Sequence, residues 1–121
     1  MKIGSVWLVL AGATLLGAWA SSSAAADLAA AKSNYQTFCV KCHGAEGKGD
    51  GPSGATLKTK PRDFTDCARM AKLSDDTLFN VIKNGGAANG LSADMTAWSQ
   101  GFEDSEIHDL VAYVRTFCNK K

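Results

Sequence analysis

No cysteine precedes Cys39, no alternation of apolar and polar residues runs long enough to make a strand, and neither sign of charge is in large surplus, the formal net charge being +1. Each absence excludes something. Without an upstream cysteine, a lipid anchored on an N-terminal thiol is not available. Without period-two patterning, the chain is not a sheet protein, and the class is all-α. With 13 Lys and Arg against 12 Asp and Glu, bulk charge does not draw the chain to nucleic acid. Prolines number only two, at positions 52 and 61, and no internal repeat is present. What charge there is divides unevenly, with Lys and Arg prevailing between Lys41 and Lys72 and Asp and Glu prevailing beyond.

The first residues have the layout of an export signal. Met1 and Lys2 form a short basic start, Ile3 to Ala20 is uncharged and apolar, and Ala24 and Ala26 offer a small-residue cleavage site. Cleavage before Asp27 divides the chain into a signal peptide, residues 1–26, and one domain, residues 27–121; cleavage after Ala20 is the competing site. If the segment were retained, it would be an anchoring helix at the short limit for a bilayer, the one route to membrane association here. The remaining domain is small for building a large apolar core from side chains alone.

Three helices are legible in that domain. The first runs from Asp27 to Phe38, with Leu28, Ala31, Tyr35 and Phe38 at helical spacing. The second spans 74–84, with Ser74 as N-cap, Asp75 and Asp76 in its first turn, and Leu78, Phe79, Val81 and Ile82 as its apolar stripe. The third begins near Asp104 or Ser105 and places Ile107, Leu110, Val111, Val114 and Phe117 on one face. Between the first two, residues 44–61 hold both prolines and a cluster of glycines, the composition of a loop wrapped around something. A second loop covers 85–101.

The first helix runs into Cys39-Val40-Lys41-Cys42-His43, the C-x-x-C-H pattern of covalent haem attachment. Two thiols at that spacing reach the two vinyl groups on one porphyrin edge, and the adjacent imidazole meets the iron. A thioredoxin-like redox pair needs a βαβ surround, which is missing, and a structural zinc site needs four ligands that Cys67 and Cys118 would complete only by coincidence. One such motif means one haem c, bound through Cys39 and Cys42 with His43 on the metal.

Beyond the motif, the chain resembles the class I monohaem cytochromes c over nearly all of residues 27–121. The resemblance rests on C-x-x-C-H at the end of the first helix, the glycine-rich run Gly47 to Pro52, the phrase Lys60-Pro61-Arg62-Asp63-Phe64, Met95 three residues before Trp98, and the final helix Asp109-Leu110-Val111-Ala112-Tyr113-Val114. It implies the cytochrome c fold, three main helices and loops around one haem, with the first and last helices crossing at Ala31 and Tyr35 against Leu110 and Tyr113. Ala31 stands where the family usually has glycine, so a slightly wider crossing is expected. The resemblance makes Met95 the second axial ligand and gives the Pro52 carbonyl to the Nδ1–H of His43, a contact that orients the ring and raises its basicity. Thr96 replaces the proline that usually follows the methionine, which frees φ and loosens the Met95 loop. Met70 reads as core and His108 as solvated.

Cys67 and Cys118 remain after haem attachment, and in an oxidising compartment a disulfide is the economical reading, about 4 kcal/mol for a loop of that size. Free buried thiols, Cys67 on the iron and an intermolecular bridge stay open beside it. The function expected is that of a periplasmic one-electron carrier, not an enzyme, working as a monomer between redox protein partners. Lys41, Lys48, Lys58, Lys60 and Arg62 cluster around the motif and could steer acidic partners. A haem-based gas-binding or enzymatic module, and a haem subunit of a larger oxidoreductase, are the alternatives.

Overall fold

The computed structural model describes residues 24–119, and they are helical, with no strand among them. The expected cleavage site at residues 24–26 is included, but the apolar segment of the expected signal peptide lies outside the described residues. No helix among those described is long and apolar enough to cross a membrane.

Asp27 starts α1 (Leu28–Asn34) by accepting the Ala30 N–H on its carboxylate at 2.9 Å. The helical path continues through a π turn at Tyr35–Cys39 and into α2 (Val40–His43), where Gly44 ends it at φ +79°. Only Ala31 and Tyr35 of the expected stripe are buried. Leu28 and Phe38 are 44% and 46% exposed. The π turn explains Phe38: with i→i+5 bonding each residue advances through a smaller angle, so the α-helical phase that aligned Phe38 with Tyr35 is lost. Its ring leans instead on Trp98 and Phe102, at centroid distances of 5.6 and 5.4 Å.

Ser74 caps α4 (Asp75–Asn84) by accepting the Thr77 N–H at 3.1 Å, as the sequence predicts. Leu78 alone on this helix is buried; Phe79, Val81 and Ile82 are half-buried. Glu103 and Glu106 form a reciprocal capping box at the start of α5 (Asp104–Arg115). All five residues of the predicted stripe are at most 5% exposed, Phe117 lying in the 3₁₀ turn that follows. Tyr35 joins the first helical run to α5, its ring 5.3 Å from both Tyr113 and Phe117, so the crossing expected from the family resemblance is present.

One element escapes sequence reading: α3 (Cys67–Met70), capped by the Asp66 carboxylate. Four residues are too few to display a period. Arg115 ties it down, donating to the carbonyls of Met70 and Leu73 and to Asp75. Met70 is buried, as expected.

Candidate functional site

Site geometry begins with the loop after His43, which folds back tightly on the motif. Gly49 N–H donates to the His43 carbonyl at 2.8 Å, Gly51 N–H to Cys42 at 3.1 Å and Ser53 N–H to Lys41 at 2.9 Å. A Cβ at Gly51 would collide with the carbonyls of Val40 and Lys41, which is why this approach needs glycine. The Tyr35 hydroxyl donates to the Gly44 carbonyl at 2.8 Å from inside the core. The helix end carrying the motif is thus held on two sides.

Cys39, His43 and Met95 line one pocket, whose other walls are Tyr35, Phe64, Ile82, Trp98, Phe102, Leu110 and Val114. Almost every surface is apolar. Residues that sequence reading places 52 positions apart therefore face a common space between the first helical run, the second loop and α5. Cys42 is half-buried and is not among the walls of that pocket; neither it nor Cys39 is bonded to another cysteine.

The His43 ring is gripped by a segment that the sequence assigns no such role. Its Nδ1 lies 3.3 Å from the Arg62 carbonyl and donates to it, and its face stacks on Phe64 at 4.6 Å with 14° between planes. The carbonyl expected from Pro52 is therefore supplied by Arg62. Pro52 is exposed in a turn whose neighbours Gly51 and Ser53 bond back to the motif helix, and its ring stiffens that turn. No side-chain signal marks Arg62 in the sequence, because the contact is made by a backbone carbonyl.

Burial lowers the His43 pKa below its ordinary 6.5, partly opposed by the Arg62 hydrogen bond, so the ring is neutral at pH 7. With Nδ1 engaged, Nε2 keeps its lone pair for a metal. Burial, with Cys42 nearby, pushes the Cys39 thiol up to about 11. The site accepts neutral sulfur and neutral imidazole and penalises charge. An apolar wall, two unpaired thiols, a metal-ready imidazole and a thioether are the donor set a haem c requires.

A family model described as cytochrome c oxidase, cbb3-type, subunit III matches residues 26–114. The chain belongs to the class I cytochromes c. Cytochrome c-554(547) of Halothiobacillus neapolitanus is 32% identical to it over 94 residues, 76% of this chain and 98% of that protein. A solved structure described as KustC0563 c-type cytochrome superposes with a TM-score of 0.60 at 25% identity, covering 72% of this chain and 95% of that one. This cytochrome therefore has the cytochrome c fold and the family's chemistry, electron transfer on a covalently bound haem.

The remaining candidates fall elsewhere in the cytochrome. Met70 is not at the pocket. His108 is exposed and stacks on Phe79 at 4.3 Å. Cys67 stands beside Cys118, with Cα atoms 5.4 Å apart, and is not among the walls of the pocket that His43 lines. In the Met95 loop, Gly86 N–H donates to the Met95 carbonyl at 2.9 Å, and Trp98 and Ser99 donate to Ile82 and Lys83 of α4 at 3.0 and 3.1 Å. Lys41, Lys48, Lys58 and Lys60 are exposed, while Arg62 is half-buried.

Proposed function

We propose that this cytochrome is a periplasmic one-electron carrier with a single haem, joined by thioethers to Cys39 and Cys42 and ligated by His43 and Met95. The observation that carries the reading is the shared apolar pocket of Cys39, His43 and Met95. The haem supplies the reversible one-electron chemistry. The chain's residues do the rest: Arg62 and Phe64 orient the imidazole, Met95 offers a soft sulfur that favours the reduced metal, and the apolar wall excludes water. With His43 and Met95 both held to the metal, no position would be left for oxygen or carbon monoxide. Cys67 and Cys118 form a disulfide in this reading, and the exposed lysines near the motif meet acidic redox partners, with the chain acting as a monomer. The test is the visible spectrum of the exported protein with a carbon monoxide challenge. An iron–thioether charge-transfer band when oxidised, lost in Met95→Ala, and indifference to carbon monoxide when reduced are expected; prompt carbon monoxide binding at neutral pH would overturn the Met95 assignment.

The description of the matched family favours a second reading, in which the same domain is a haem subunit of a larger oxidoreductase. Migration of the native exported chain as a lone monomer would exclude it.

A further inference from the structure

Both contacts on the His43 ring come from residues 62–64, and that segment is fastened at its far end to the cysteine pair. Arg62 supplies the carbonyl to Nδ1 and Phe64 the stacked ring. Phe64 N–H donates to the Gly47 carbonyl at 2.7 Å, and the Phe64 carbonyl oxygen lies 3.2 Å from Cys118 Sγ. From Phe64 to Cys67 the chain is a stiff turn, because the Asp63 carboxylate accepts both the N–H and the hydroxyl of Thr65, at 2.8 and 2.6 Å. Cys67 then meets Cys118, which follows Phe117, itself stacked on Phe64 at 6.1 Å between centroids. A continuous path of covalent, hydrogen-bonded and stacked contacts runs from the sulfurs to the imidazole.

We propose that the Cys67–Cys118 disulfide is a positioning clamp for His43, and that its opening by an external dithiol changes the potential of the haem iron. The inference rests on the haem reading above, with His43 on the metal. Cys67 is exposed and Cys118 half-buried, so a dithiol reaches the pair. One thiolate of the dithiol attacks a protein sulfur to form a mixed disulfide, and its second thiolate displaces that bond. The dithiol leaves as a disulfide, two electrons pass to the protein, and Cys67 and Cys118 each end with a proton. With the clamp open, residues 62–64 relax away from the ring. The Nδ1–H···O bond weakens, the imidazole becomes a poorer donor to the iron, and the oxidised state loses stabilisation. The midpoint potential rises.

The experiment uses the exported holoprotein and its C67A/C118A variant, alanine being chosen because a serine hydroxyl at position 118 would give the Phe64 carbonyl a hydrogen-bond donor that the disulfide sulfur is not. Spectroelectrochemistry gives the midpoint, and NMR gives the solvent exchange rate of the His43 Nδ1 proton. An upward shift of the midpoint together with faster exchange is expected, with the iron–thioether band intact. Wild-type protein treated with a dithiol, alkylated and reoxidised at the iron must show the same two changes, which covers a variant that fails to fold. Unchanged midpoint and exchange alongside a lowered melting temperature would reduce the disulfide to a staple and overturn the clamp. Free thiols at both positions in untreated protein would overturn it as well. Failure of the haem reading is recognised separately, by a chain exported without visible absorption.

Discussion

Tyr35 shows how one side chain serves both the core and the site. It is 1% exposed, stacks against α5 and donates its hydroxyl to the carbonyl beside His43. Burial raises its pKa well above the ordinary 10.0. The sign of the linkage follows: the phenol's contribution to stability is complete below pH 10 and is lost as pH rises beyond it, because the unfolded chain ionises first. Tyr35→Phe is predicted to cost about 1 kcal/mol at neutral pH and to flatten the decline above pH ~10, checked by denaturant unfolding from neutral to alkaline pH. At this scale a short motif names candidates for the chemistry directly, as it does Cys39, Cys42 and His43. Arg62 was not legible, because its role belongs to a backbone carbonyl, which any residue type supplies.

Among elements, the crossing of α1 and its π turn against α5 positions the motif, and Ala31 is the small residue that permits the approach. Ala31→Leu is predicted to destabilise by about 1–3 kcal/mol through overpacking, seen as a lower melting temperature, while the haem spectrum at low temperature stays unchanged. The Glu103–Glu106 capping box carries a smaller share: Glu103→Ala should cost about 1 kcal/mol by the same measurement. Periodicity revealed α4 and α5 because both hold a single face for ten residues or more. It misjudged Phe38 because a π turn changes the angle per residue without changing composition, and it missed α3 because one turn has no period.

For the whole molecule, the central consequence is that the pocket is walled by side chains from every long helical run, so a haem held there would complete the core that a chain of this size lacks. Gly51→Ala, which presses the loop off the Val40 and Lys41 carbonyls, is predicted to lower the yield of pigmented protein sharply, measured as haem absorbance per mole of exported chain. The fold class was readable from the absence of strand patterning and the three amphipathic stretches. The convergence of Cys39, His43 and Met95 was not readable from the residues alone, since nothing local in residues 85–101 tells which way that loop closes. The most direct test is the intact mass of the exported protein together with its oxidised spectrum. The account predicts the mass of the mature chain plus one haem, and an iron–thioether band that disappears in Met95→Ala; a mature chain of unmodified mass that still folds to the same helical form would contradict it.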